Sequence, residues 1–341
     1  MKPAFSISMG GLDITGRFND RLLLLQLTEY DGHEADTLQI TLDDRDFSID
    51  APPTEAELSV MLGYVETGLV FKGVFKVDEI EVQGPPYEMK IHAKSADQVS
   101  AQKQHRTKHY ENKTLGSIVN EVAGRYGLTP GISAELASFQ YDYVNQTEES
   151  DWHFLTRLSH NHDALFSIKN KHLMFMKRGD SQSMSGLAMP QILVNLPGNL
   201  IRYRALVRDR PRHKKSKASW HDYSKGEVTV EDDSGNDGEA EFNVRHLHLN
   251  QKIAKEVAKS KQKMLERAEG EVQCDIIGDP LVTAEGTMVV STGRSILDDE
   301  WLIRNVVHNM TNDGYHTWIA GGANDGKSNK GSARPSKIKR F

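Results

Sequence analysis

Residues 145–158 read Asn145-Gln146-Thr147-Glu148-Glu149-Ser150-Asp151-Trp152-His153-Phe154-Leu155-Thr156-Arg157-Leu158. Glu148, Glu149, Ser150 and Asp151 crowd the front of an apolar-periodic run. Acids there complement the positive end of a helix, and a serine in that place caps exposed backbone N–H groups. Trp152, Leu155 and Leu158 recur at helical spacing, so one face buries while Arg157 stays in water. The stretch predicts an amphipathic helix capped by Ser150.

Outward from this helix the periodicity shows where it belongs. Upstream, Leu115, Ile118, Val119, Val122, Ala123 and Tyr126 make a second helical stripe between a Thr114 cap and Gly127. Downstream, Leu165–Ile168 and Leu173–Met176 flank Lys169-Asn170-Lys171, the pattern of a hairpin. Residues 105–180 therefore predict a small α+β domain. On its N-terminal side, residues 1–104 alternate apolar and polar at Phe5–Met9, Leu22–Leu27, Leu38–Leu42, Leu58–Leu62, Val70–Ile80 and Met89–Ala93, with Gly and Pro between runs. That density of short strands predicts a β-barrel domain. On its C-terminal side, residues 181–190 read as a linker. Residues 191–323 read as a second β-barrel domain with a long helix inserted over about 247–269. Residues 324–341, rich in Gly, Ser, Asn and Lys, read as a flexible basic tail.

The two β regions share an internal repeat. Leu58-x-Val60-x-Leu62-Gly63 parallels Met288-x-Val290-x-Thr292-Gly293. Phe75-x-Val77-x-x-Ile80 parallels Trp301-x-Ile303-x-x-Val306, and Tyr87-x-Met89-x-Ile91 parallels Tyr315-x-Thr317-x-Ile319. The fold class expected is mainly β, with two related barrels separated by an α+β insert.

Composition narrows the function. The 341 residues carry a net charge of −6, yet residues 324–341 alone carry +5, so the body is acidic. An acidic body argues against a protein that grips nucleic-acid phosphates over its surface. No apolar run approaches a membrane span, and MKPAFSISMGG lacks the apolar core of a secretory signal. Cys274 is the single cysteine, which excludes an intramolecular disulfide.

Motifs for catalysis are weak. There is neither a P-loop nor a GxGxxG pattern, and Gly131-Ile132-Ser133-Ala134-Glu135 fails as a nucleophile elbow at its last position. His160, His162 and Asp163, the pair His246 and His248, and the pair His105 and His109 are metal-ligand types. None has the HExxH spacing that puts two imidazoles on one helix face. The Asp232–Gly238 loop resembles a calcium loop, but Val244 stands where a bidentate Glu belongs. No cofactor, catalytic residue or metal ligand is expected. A cell-wall hydrolase using an acid pair, or a metal-dependent enzyme, is the rival of another class.

Gln146, Glu149-Ser150-Asp151 and Phe154-Leu155-x-Arg157-Leu158, followed by a strand pair closing at Phe175, resemble the late control protein D family of contractile phage tails. That family is related to the hub part of type VI secretion spike proteins. Val60-x-Leu62-Gly63-Tyr64 with Gly73-x-Phe75-x-Val77-Asp78, and Gly278-Asp279-Pro280-Leu281 with Gly286, Trp301-x-Ile303 and His308, resemble its first barrel and its closing segment. The resemblance implies a structural, homotrimeric baseplate hub that adapts a sixfold tail tube to a threefold spike and forms part of a central conduit. Its partners would be further copies of itself, a separate spike protein, the tail tube protein and other baseplate components. The tape-measure protein is a further candidate, and DNA would pass without specific binding. It would be assembled in the host cytoplasm and sit in the virion baseplate. A contractile bacteriocin or secretion device is the alternative setting. Lys337, Lys339, Arg340 and Phe341 are candidate docking residues of the tail.

Overall fold

The computed structural model describes residues 1–32, 34–96, 104–178, 191–207, 213–222, 225–234, 240–267 and 270–323. The expected linker at 181–190 and the basic tail lie outside them. The N-terminal half contains β1 (Pro3–Met9), β2 (Leu12–Asp13), α1 (Thr15–Phe18), β3 (Leu22–Tyr30), β4 (Thr37–Asp43), β5 (Glu57–Tyr64), β6 (Gly68–Gln83) and β7 (Glu88–Ser95). Every run of alternating residues read in this half lies in a strand. The alternation works as expected: Leu58, Val60 and Leu62 are fully buried along β5, while Ser59 and Met61 face outward.

The α+β unit follows as β8 (His105–Thr114), α2 (Leu115–Arg125), β9 (Thr129–Ile132), α3 (Ala134–Ala137), β10 (Gln140–Ser150), α4 (Asp151–Asn161), β11 (Ala164–Lys169) and β12 (His172–Lys177). Thr114 caps α2, its hydroxyl accepting from Ser117 N at 3.1 Å. Asn170 and Lys171 join β11 to β12 with φ of 52° and 62°, as a two-residue turn of this twist requires. Sequence reading missed the long β8–β10 ladder, whose side chains are too polar for a clear period-two signal.

The C-terminal half begins with β13 (Ile192–Asn195) and β14 (Leu200–Val207). Then come β15 (His213–Asp222), β16 (Glu227–Ser234), β17 (Ala240–His248) and α5 (Gln251–Arg267), before β18 (Gly270–Ile277), β19 (Thr287–Ser291), β20 (Glu300–Thr311) and β21 (Gly314–Ala323). The long helix is inserted in the chain where expected, but it does not cover the second barrel's sheet. With β16-β15-β17 it forms a separate layer, Ala254 and Ala258 packing against Ala218. Those small side chains let helix and sheet approach closely. Ile253 and Val257 on the same helix enter the core of the α+β unit.

The repeat is a structural duplication. The N-terminal half pairs its strands in the order β3-β4-β7-β6-β5-β1, and the C-terminal half in the order β14-β18-β21-β20-β19-β13. Registers agree: Phe75 pairs with Ser95 as Trp301 pairs with Ala323, and Ile80 with Ile91 as Val306 with Ile319. The irregularity after Val77 recurs after Ile303. Even the left-handed Glu55 (φ 72°) has its counterpart in Glu285 (φ 75°). The end strands differ, β1 being antiparallel to β5 and β13 parallel to β19. Each half has an apolar core, the first completed by Met310 and Tyr315 of the second half, and a β3–β20 ladder joins both into one 13-stranded sheet.

Candidate functional site

At the strand-to-helix corner, Ser150 is the cap of α4, its Oγ accepting from His153 N at 3.2 Å. Phe154, Leu155 and Leu158 are fully buried, with Phe154 stacked on Tyr110. The acids do more than face a helix end. Asp151 is completely buried and accepts from Arg125 Nη1, Gln146 Nε2 and Tyr126 Oη, each at 2.8 Å. Arg106 approaches the same carboxylate at 3.5 Å. A buried carboxylate needs such partners, because desolvation otherwise opposes its charge. Gln146 also donates to Glu149 O at 3.0 Å, and so spans the bulge where Glu148 turns left-handed at φ 48°. Arg157 binds the Glu149 carboxylate and donates to Asn145 O at 2.6 Å. The structure thus brings Gln146, Glu149, Ser150, Asp151, Phe154, Leu155, Arg157 and Leu158 into one corner that locks β10 to α4. Sequence reading assigned Asp151 to the helix dipole and missed its partners Arg125, Tyr126 and Arg106, which lie in other elements.

A second buried cluster sits where both halves meet the α+β unit. Glu29 of β3 pairs with Lys72 of β6 at 2.6 Å, both side chains almost fully enclosed. Burial opposes Glu29's charge, but Lys72, His308 and Lys169 together outweigh it and hold the carboxyl below its usual range. Lys72 also donates to Pro280 O and Val282 O, at 3.1 and 3.0 Å. Beside them His308 is fully buried, its Nε2 3.1 Å from Val282 O. A carbonyl only accepts, so the ring proton sits on Nε2 and Nδ1 accepts from Tyr315 Oη at 2.8 Å. Burial first, and then Lys72, lowers the His308 pKa, so the ring stays neutral although Glu29 is 3.6 Å away. From the α+β unit, Lys169 reaches Asp36 at 3.4 Å and Arg178 reaches Asp31 at 2.8 Å. Tyr64 donates to Gly278 O at 2.7 Å, and a Cβ on Gly278 would collide with the Tyr315 ring. The Gly278–Leu281 motif is therefore a backbone acceptor surface for the first half. A charged residue on the apolar face of a strand, as Glu29 is between Leu27 and the turn, was the one available sequence signal.

The histidines read as ligand types are dispersed. His162 is buried with Nε2 2.5 Å from Tyr141 Oη, and burial lowers its pKa to about 4. His160 faces solvent from α4, His105 and His109 lie exposed on β8, and His246 and His248 lie on β17. Among the described residues no group of three or more His, Cys, Asp or Glu could hold a metal ion. Part of the Asp232–Gly238 loop lies outside the described residues. Cys274 is buried in the second core, and burial pushes its thiol up to about 11, away from nucleophilic chemistry. Lys337, Lys339, Arg340 and Phe341 also lie outside the described residues.

The family of phage tail baseplate hub proteins (GPD) matches residues 40–314. The probable baseplate hub protein of Escherichia phage 186 is 30% identical over 361 aligned residues, covering 94% of this chain and 92% of that one. The probable baseplate hub protein of Escherichia phage P2 is 34% identical over 220 residues, covering 64% and 57%. In fold, the chain resembles a tail protein from Neisseria meningitidis MC58, with a TM-score of 0.72 at 11% identity, covering 95% of this chain and 97% of that one. The chain belongs to the phage tail baseplate hub family and is a baseplate hub protein of a phage tail.

Proposed function

We infer that three copies of the chain form a ring that adapts a sixfold tail tube to a threefold spike. The observation that carries this reading is the duplication: two halves with the same strand order and register offer two similar docking platforms per chain. Three chains then present six platforms to a tube while keeping a threefold face for the spike. The role is structural rather than enzymatic. The buried charges of Asp151 and of the Glu29–Lys72 pair serve joints between elements and are enclosed, not open to a substrate. The ring encloses part of the conduit, and an acidic body suits a passage that must release DNA. The basic tail acts as an arm that docks on an acidic partner surface through Lys337, Lys339, Arg340 and Phe341. The protein is assembled in the host cytoplasm and works in the virion baseplate. Light scattering tests the reading: the expected mass is that of a trimer, alone or with the spike. A monomer under both conditions overturns it, and hydrolysis of purified peptidoglycan would favour the enzymatic rival.

A further inference from the structure

The two halves match in strand order and register, yet the sheet faces opposite their apolar cores differ in chemistry. The registers equate Val307, Asn309, His316 and Trp318 with Glu81, Gln83, Glu88 and Lys90. In the first half these side chains tie one another up. Lys90 binds Glu81 at 3.2 Å and donates to Gln83 Oε1 at 3.1 Å, and Gln83 donates to Glu88 at 2.8 Å. In the second half Val307 and Trp318 stand beside Leu24 of β3, and the three floor a groove of about 550 Å³. All three are half-buried, so the floor meets solvent. Two acids line the same groove. Asp275 is held by Arg202 at 2.8 Å, whereas Asp313 has no ion-pair partner among the described residues. An apolar floor beside an uncompensated acid is thus a feature of the second half.

We propose that this groove is the resting place of the chain's own basic tail, with Phe341 on the Leu24–Val307–Trp318 floor and Lys339 and Arg340 toward Asp313. This rests on the tail being a docking arm, and adds where that arm sits before a partner draws it out. The reach is sufficient. From Trp318 to the end of β21 at Ala323 is roughly 17 Å along the strand. Residues 324–341, extended, span up to about 60 Å, and Gly326 and Gly331 let the chain double back. The chemistry is complementary. The tail carries +5 against an acidic body, and Ile338 and Phe341 are its two large apolar side chains. A Phe ring fits an apolar floor that already holds an indole, through offset or edge contacts. Tethering raises the local concentration of a segment to the order of millimolar, so a contact too weak for a free peptide is held. The two acids disfavour a phosphate backbone as the occupant.

Contact quenching in the full chain tests this. Lys339→Cys is labelled with bimane, a fluorophore that tryptophan quenches on contact. Cys274 is buried, so the label goes to position 339. Trp318 is expected to quench it, and adding Trp318→Phe, which keeps the floor apolar, to restore the emission. Phe341→Ala and high salt should relieve the same quenching, since one removes the anchor and the other screens Asp313. Should Trp318→Phe lose its fold, Asp313→Lys in the exposed β20–β21 turn decides, and is also expected to restore emission. Emission that neither Trp318→Phe nor Asp313→Lys raises overturns the proposal. Co-expressing the labelled Trp318→Phe chain with an excess of parent separates the two sources of a tail. Emission that stays high supports the chain's own groove. Emission that falls puts the tail on another copy and overturns the own-chain contact. Light scattering of the same samples reads the trimer separately, so loss of the groove contact leaves the ring reading standing.

Discussion

At the scale of residues, stability turns on a few enclosed polar groups. Glu29 and Lys72 are the clearest case. Lys72→Met leaves a carboxylate buried without its cation, and should cost about 3–5 kcal/mol in urea denaturation. Replacing both, as Glu29→Leu with Lys72→Met, should recover much of that loss. Equal loss in the double variant would show that the pair is not coupled. His162 gives a pH signature. Its folded pKa of about 4 lies below the ordinary 6.5, because burial disfavours the charged ring. Between these values the unfolded chain binds the extra proton, so this stability is full above 6.5 and is lost as pH falls through 4. The loss amounts to roughly 3 kcal/mol. His162→Gln retains an acceptor for Tyr141, and melting temperature against pH should fall less steeply between 6.5 and 4 than in the parent.

At the scale of elements, α4 shows a local signal and a tertiary one working together. Its cap and apolar stripe are visible in the residues themselves, since both depend on neighbours within one or two turns. Leu155 is fully buried, so Leu155→Ala should cost roughly 2–5 kcal/mol. Ser150→Ala removes one cap bond and should cost about 1 kcal/mol. Chemical denaturation of both variants checks the order, with the core residue expected to dominate. Asp151 was legible only in part. Its position at the helix start is a local fact, but its ion pair with Arg125 depends on how the end of α2 lies against the start of α4. The polar strands β8 and β10 were hidden for a related reason, since their backbone ladder holds them where side-chain periodicity does not.

At the scale of the molecule, the chain is a duplicated sheet whose halves share one ladder and one buried charge cluster. The halves are thus joined by backbone hydrogen bonds as well as by enclosed charges. The basic tail stands apart in composition, with Ala323 closing the last strand before it. Truncation after Ala323 should leave the melting temperature nearly unchanged. It should weaken attachment to tube or spike, and high salt should mimic that loss on the intact protein. Normal assembly of infectious tails from the truncated chain would reduce the tail to a solubilising segment.

By itself the sequence determined the strands of the first half, the two capped helices, the β11–β12 hairpin and the repeat between halves. Each of these is written in spacings of two, three or four residues, or in turn residues with a special backbone. Only the tertiary structure decided that β3 crosses to β20, that α5 covers a separate sheet rather than the second barrel, and that Glu29 meets Lys72 and His308. Those choices depend on which distant faces bury one another and which enclosed charges thereby find partners. That free energy belongs to pairs of surfaces, and no local pattern encodes it.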